Sequence, residues 1–246
     1  MTWIKICGIT NLEDALVAVE AGADALGFVF YEKSPRNILP DKAREIAVRT
    51  PPAVEKVGVF VNGSGFTPVD IARSVGLTAV QNTLGVDDTE TSESRMIVAM
   101  AGVPTPPKLF LSFPANWVHD HPERLHDLAT RFSHLRRDSA RRYPNYEGCF
   151  DTFFLDSSTC DQPGGTGRVF DWEKTRTIAD RLQNEGLKLV VAGGLTPHNV
   201  SEAMRILHPW GVDVSSGVEE RPGKKDPGKV RAFIKAVREA DKANSN

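Results

Sequence analysis

The sequence predicts an α/β protein, a single-domain (β/α)8 barrel over residues 1–246, on three observations. Short apolar runs bounded by turn residues alternate with stretches of helical periodicity. The connections between those runs are too long for hairpins, so successive strands are parallel and joined by crossover helices. Eight such strand–helix units fit the chain, and eight is the number at which a parallel sheet of this kind closes.

The first strand is Trp3-Ile4-Lys5-Ile6-Cys7, which stops at Gly8 just before Asn11 offers a helix cap. The helix carries Leu12, Ala15, Leu16, Val19 and Ala23 at helical spacing and ends near Gly22. Ala25-Leu26-Gly27-Phe28-Val29-Phe30 is the second strand. After the loop 32–37, Pro40 opens a helix to about Arg49, with proline in its first turn. The third strand covers 56–61, and a helix from Val69 to Val75 closes at Gly76. Thr78-Ala79-Val80-Gln81 is a short fourth strand, followed by a helix over 88–101 and the stiff connector Val103-Pro104-Thr105-Pro106-Pro107.

The second half keeps the rhythm. Lys108-Leu109-Phe110-Leu111-Ser112-Phe113 is strand five, and Phe150-Asp151-Thr152-Phe153-Phe154-Leu155-Asp156 is strand six. Lys188-Leu189-Val190-Val191-Ala192 is strand seven, Val212-Asp213-Val214-Ser215 strand eight, with helices over 171–185, 197–207 and 226–242. Between strands five and six the barrel is enlarged, and 117–149 reads as an insertion within it. This stretch is polar, holds four of the six histidines and includes Arg136, Arg137, Arg141 and Arg142, a solvated helix face. Its apolar positions Leu125, Leu128, Phe132 and Leu135 form one narrow stripe.

Composition excludes several classes of function. With 30 Lys+Arg against 32 Asp+Glu, the chain lacks the basic excess of a nucleic-acid binder. No apolar run approaches the ~20 residues that span a bilayer, so no membrane partner is expected. The first residues lack a leader pattern, and a cytoplasmic protein is the expectation. Cys7, Cys149 and Cys160 are odd in number and unrelated in spacing, which indicates neither a disulfide framework nor a metal cage. His119-x-His121 has no second pair at ligand spacing, so no metal is assigned; with no dinucleotide fingerprint either, no cofactor is expected.

Strand ends carry the candidate chemistry, because the βα loops there vary while the barrel holds their roots. Cys7 is either a proton acceptor or nucleophile there, or simply a small buried side chain. Asp156 follows Phe153-Phe154-Leu155; a carboxyl in half-apolar surroundings has its proton affinity raised, which suits a general acid, while a capping role is the alternative. Gly193-Gly194 and Ser215-Ser216-Gly217 lie after strands seven and eight, the recurrent phosphate site of this architecture. Gly164-Gly165-Thr166-Gly167 after strand six either extends that cradle or forms a flexible lid. Arg36, after strand two, offers a two-pronged clamp for a carboxylate, or else a surface salt bridge. The set suits a cofactor-free acid–base enzyme acting on a small molecule with a phosphate at one end and a carboxylate at the other.

These motifs occur in an order that resembles phosphoribosylanthranilate isomerase of tryptophan biosynthesis. The resemblance rests on Lys5-Ile6-Cys7-Gly8-Ile9-Thr10, Gly27-Phe28-Val29-Phe30 with Ser34-Pro35-Arg36, and Val57-Gly58-Val59-Phe60. It continues in Asp156 with Gly164-Gly165-Thr166-Gly167, Ala192-Gly193-Gly194-Leu195-Thr196-Pro197 and 212–219 with Pro222-Gly223-Lys224-Lys225-Asp226. It implies a TIM barrel that isomerises N-(5-phosphoribosyl)anthranilate by an Amadori rearrangement. Cys7 then matches the general base and Asp156 the general acid. Arg36 matches the group that holds the anthranilate carboxylate, and Gly194 and Ser216-Gly217 the phosphate cradle, to which Gly165 and Gly193 are added here. The substrate is a phosphosugar, and a monomer is the expected state.

One departure stands out. Such isomerases usually show Gln-Leu-His-Gly after strand four, whereas this chain has Gln81-Asn82-Thr83-Leu84-Gly85, without the histidine. Gln81 remains a substrate-binding candidate. Two rival readings are a phosphosugar isomerase of histidine biosynthesis, against which Cys7 speaks because those sites use paired aspartates, and a barrel that binds phosphate without turnover.

Overall fold

The computed structural model describes residues 1–61, 68–83, 106–121, 123, 127, 130, 133–134, 151–157 and 169–244. Its strands are β1 (Trp3–Cys7), β2 (Ala25–Val29), β3 (Glu55–Val61), β4 (Ala79–Thr83), β5 (Lys108–Pro114), β6 (Thr152–Asp156), β7 (Lys188–Val191) and β8 (Gly211–Val214). They pair in sequence order, all parallel, and β8 returns to β1 to close the barrel. Around them run α1 (Leu12–Ala21), α2 (Pro40–Ala47), α3 (Pro68–Val75), α4 (Ala115–Asp120), α5 (Trp172–Asn184), α6 (Val200–Leu207) and α7 (Pro227–Ala243). After β8 come a 3₁₀ turn (Ser216–Val218) and a short antiparallel hairpin, β9 (Glu219–Arg221) with β10 (Lys224–Lys225), which the sequence reading did not anticipate.

Alternation along each strand decides what reaches the barrel axis. In β1, Ile4 and Ile6 join the apolar layer between sheet and helices, so Trp3, Lys5 and Cys7 occupy the other face. The same parity sends Phe153 and Leu155 outward in β6 and leaves Phe154 and Asp156 inside; in β8 it sends out Val212 and Val214 and leaves Asp213. A slip of one residue would exchange the two sets, and the thick outer layer is what holds the register.

The floor of the barrel is a separate apolar cluster of Ala25, Val57, Ala79, Phe110, Phe154 and Val190, with Trp3 and Trp210 packed against it. Trp3 stacks on Trp210 at 5.2 Å between ring centroids and meets Phe110 and Phe154 edge-on. The barrel is therefore plugged by aromatic rings below the layer of Lys5 and Asp213.

Local signals account for most boundaries. Asn11 caps α1 by accepting from the Asp14 amide, and Gly22 ends it in the left-handed region at φ 99°. Asp171 and Asp226 cap α5 and α7 in the same manner. Two boundaries differ from expectation. β4 runs on to Thr83, so the departure at Asn82 and Thr83 lies within a barrel strand and not in a loop. The start of the expected insertion 117–149 is barrel wall: Trp117 and Val118 belong to α4, are buried, and Trp117 stacks between Phe113 and His121. The helix expected over 88–101, the Leu125, Leu128, Phe132 and Leu135 stripe, and Cys149 and Cys160 lie outside the described residues.

Candidate active site

Cys7 ends β1 with its side chain towards the axis, 8% exposed. Its neighbour on β2 is Gly27, and that glycine is a matter of space: a Cβ there would stand 2.7 Å from the Cys7 sulfur and 3.0 Å from Lys5 Cε. Lys5, two residues before Cys7 and on the same face, is fully buried above the Phe154 ring. Its Nζ donates to Asp213 Oδ1 at 3.1 Å across the β1–β8 seam.

These three groups titrate against one another. Burial pushes the Cys7 thiol up, opposed by the ammoniums of Lys5 and Lys225 and reinforced by the Asp213 carboxylate. Burial likewise pushes the Asp213 carboxyl up in spite of both lysines. Lys5 goes the other way from what burial alone would do, because Asp213 and Cys7 together raise it and favour its charged form. A thiol raised by burial is a stronger base once ionised, and the two ammoniums limit how far ionisation is disfavoured.

The second group of charges comes from the hairpin. Arg36, 9% exposed, donates from Nε to Glu219 Oε1 at 2.9 Å and from Nη2 to Glu219 Oε2 at 2.7 Å. Lys225 Nζ, fully buried, donates to the same Oε1 at 3.0 Å and to the Ser215 carbonyl at 3.2 Å. Burial would raise the Glu219 carboxyl, but the bonds from Arg36 and Lys225 outweigh it and hold it below its ordinary value. Burial lowers Lys225 despite Glu219. Asp14 fastens the hairpin from outside, accepting from the Lys225 amide at 2.7 Å and pairing with Lys224 Nζ at 2.7 Å. Gly8, at φ 77°, lets the Arg36 stem cross over the end of β1; a Cβ there would lie 2.6 Å from Arg36 Cδ.

Arg36 is thus neither a free clamp nor a surface salt bridge. Its Nε edge is committed to Glu219, and among the described residues Nη1 has no partner, so a ligand carboxylate would meet the Nη1–Nη2 edge.

Two loops supply closely apposed backbone. Gly193 and Gly194 take φ 83° and 64°, and a Cβ on Gly193 would collide with Ser157. Asn199 ties the loop by donating to the Gly194 carbonyl and accepting from the Thr196 amide. Ser216 and Gly217 form the 3₁₀ turn, and a Cβ on Gly217 would sit 1.8 Å from the Leu195 carbonyl oxygen. The β7 and β8 loops are therefore packed backbone on backbone. Gly165, the third piece of the expected cradle, lies outside the described residues.

Asp156 ends β6 opposite Pro114, half-buried. Gln81 is buried in β4 between Val59 and Phe110, and among the described residues its side-chain oxygen has no hydrogen-bond partner. His119 and His121 are engaged elsewhere: His119 Nε2 pairs with the Thr175 hydroxyl and His121 Nδ1 with the Trp117 carbonyl. Among the described residues no group of three or more His, Cys, Asp or Glu could hold a metal.

The family model described as N-(5'phosphoribosyl)anthranilate (PRA) isomerase matches residues 4–96 and 127–236, a range that takes in Cys7, Arg36, Asp156, Asp213 and Glu219. The chain belongs to this family. It is 40% identical over 244 residues to the N-(5'-phosphoribosyl)anthranilate isomerase of Trichlorobacter lovleyi, covering 98% of this chain and 100% of that one. The crystal structure of phosphoribosyl anthranilate isomerase from Thermotoga maritima superposes with a TM-score of 0.73 at 38% identity, over 97% of this chain and 100% of that one. A phosphoribosyl anthranilate isomerase in complex with reduced 1-(o-carboxyphenylamino)-1-deoxyribulose 5-phosphate matches with a TM-score of 0.70 at 36% identity and the same coverage. The protein is an isomerase of tryptophan biosynthesis with the TIM-barrel fold.

Four charged residues of the site were not singled out from sequence: Lys5, Asp213, Glu219 and Lys225. Lys5 carried a usable signal, since a charged residue two positions before a strand-end cysteine shares its face. Asp213 carried the same kind of signal, lying between the outward Val212 and Val214 of strand eight, whereas Glu219 and Lys225 reach the site through a hairpin that no local spacing announces.

Proposed function

We propose that this chain isomerises N-(5'-phosphoribosyl)anthranilate to 1-(2-carboxyphenylamino)-1-deoxyribulose 5-phosphate with Cys7 as general base and Asp156 as general acid. Asp156 gives its proton to the furanose ring oxygen. The C1′–O bond breaks with its electron pair on oxygen, and the anilino nitrogen lone pair forms an iminium. Cys7 as thiolate then takes the C2′ hydrogen as a proton, the C–H pair becomes the C1′–C2′ double bond of an enolamine, and the iminium π pair returns to nitrogen. Tautomerisation moves a proton from the 2′ hydroxyl to C1′ and yields the ketone. The thiol acts as a base throughout, with no covalent adduct.

The observation that carries this reading is the inward position of Cys7 at the end of β1, on the same strand face as the buried Lys5. Arg36 meets the anthranilate carboxylate with its Nη1 side, held at the proper angle by Glu219. Gly193, Gly194, Ser216 and Gly217, with Gly165, receive the phosphate, and Gln81 accepts a hydrogen bond from the substrate. No cofactor enters any step. A monomer is the proposed working unit. No helix among the described residues is long and apolar enough to cross a membrane, and the reading places the reaction in the cytoplasm.

Turnover is followed by the loss of anthranilate fluorescence. The wild-type chain should convert the substrate, and Asp156→Asn should lower kcat by about 10²–10⁴-fold, the range for a general acid, with analogue affinity little changed. An Asp156→Asn variant with wild-type kcat would remove Asp156 from the acid role.

A further inference from the structure

A base for a carbon acid needs its lone pair available, yet Cys7 sits where ionisation is costly. The groups that face it are few. Lys5 comes from its own strand, Asp213 from β8 and Lys225 from β10, while β2 presents only Gly27. Of these Lys5 is built in most deeply. It is fully buried, its stem fills the space that the missing Gly27 side chain leaves, and the same space admits the Cys7 sulfur. One proton of its Nζ is committed to Asp213 Oδ1, and its Cε and the Cys7 sulfur border the same empty Gly27 position, 3.0 and 2.7 Å from where a Cβ would stand, so the ammonium's charge acts on the sulfur at short range.

A buried lysine is expensive to keep charged. The barrel floor offers no reason for one: beneath Lys5 lies the face of Phe154, 5.4 Å from Nζ to the ring centroid, and an aliphatic side chain would fill that layer as well. Asp213 supplies the counter-charge that keeps Lys5 an ammonium, and the one reactive group within its reach is the sulfur.

We propose that Lys5 is a positioning residue for the isomerisation: its buried ammonium, fixed by Asp213, holds the Cys7 sulfur in the thiolate form that takes the C2′ proton. The inference rests on Cys7 being the base. Lys5 touches neither substrate nor the reacting carbon. It acts by stabilising the sulfur anion before the proton moves.

The test reads the sulfur directly. The ultraviolet absorbance of the thiolate is titrated in the full-length protein, and the Cys7→Ala titration is subtracted to remove Cys149 and Cys160. Lys5→Met should move the Cys7 midpoint up by about one pH unit or more, the effect of removing one nearby opposite charge. The acid limb of kcat/KM should move with it by the same amount. Lys5→Arg, which keeps the charge, should restore both to within about half a unit of wild type. Because Lys5→Met leaves Asp213 buried without its nearest partner, Lys5→Met with Asp213→Asn is the second variant; it removes both charges, and its midpoint should still lie above wild type, since the lysine acts on the sulfur more strongly than the aspartate. A Cys7 midpoint unchanged in Lys5→Met, or in the double variant should only that one fold, overturns the inference. Failure of the base assignment looks different: Cys7→Ala would keep its turnover while the sulfur titration still responded to Lys5.

Discussion

Glu219 grips Arg36 with both carboxylate oxygens, at 2.9 Å to Nε and 2.7 Å to Nη2, and Lys225 holds the same carboxylate from its other side at 3.0 Å. The three residues come from the β2–α2 loop, β9 and β10, so the hairpin after the last strand finishes a site begun near the start of the chain. Glu219→Gln keeps the shape but places an amide donor against a guanidinium or an ammonium. KM should rise on the order of tenfold, about the worth of one charge-assisted hydrogen bond, with kcat within a few-fold. An analogue without the anthranilate carboxylate should bind wild type and variant alike. Equal losses for both ligands would mean that Glu219 does not orient Arg36 for that group.

The same carboxylate predicts a pH dependence of stability. Arg36 and Lys225 hold Glu219 below its ordinary value of 4.5 in the folded chain, against the push of burial. The unfolded chain therefore takes up this proton first as pH falls, and folding loses the contribution through the folded-state value. It is present in full above 4.5. In urea unfolding at neutral pH, wild type should exceed Glu219→Gln in stability, and the gap should narrow as pH drops below 4.5. A gap constant across that range would show that Glu219 is not held ionised by its partners.

Most of the barrel was legible because its signals are local. Asn11 and Gly22 bracket α1, Pro40 opens α2, Gly76 follows α3, and each apolar run lies within two residues of its strand. Cys7 and Asp156 were legible for the same reason, since parity with Ile6 and Leu155 decides which way each faces. Arg36 was found but its partner was not, because Glu219 lies 183 residues away and meets it only after β8 closes on β1. Lys225 belongs to a two-residue strand, too short for periodicity to register. Trp117 was misread as part of a polar segment because it stacks between Phe113 and His121, ring contacts that leave no repeat in the sequence.

Backbone contact between the last two loops gives a third prediction. Gly217→Ala would drive a Cβ against the Leu195 carbonyl, which lies in backbone and cannot swing aside. The turn must shift, and inhibition by inorganic phosphate should weaken by roughly tenfold, the loss of about one good anion contact. Gly76→Ala is the control. It strains a residue at φ 80° that has nothing within 4 Å, so stability should fall while phosphate inhibition stays as in wild type.

The enlarged region between strands five and six can be tested with its boundary moved. Val118 is fully buried and His119 bonds Thr175, so a deletion that starts at 118 would cut into the barrel wall. Replacing 122–146 by a short Gly/Ser linker should leave kcat within a few-fold. A folded deletion variant that bound substrate but lost ~10²-fold or more in kcat would assign this segment to the active site.

The isomerisation turns on the sulfur of Cys7. The direct measurement is kcat of Cys7→Ala at substrate saturation, paired with the dissociation constant of a reduced product analogue. If Cys7 is the base, kcat should fall by about 10²–10⁴-fold or more while the analogue binds within about tenfold of wild type. A Cys7→Ala enzyme that keeps more than about a tenth of wild-type kcat, beyond the reach of any general-base role, would contradict it.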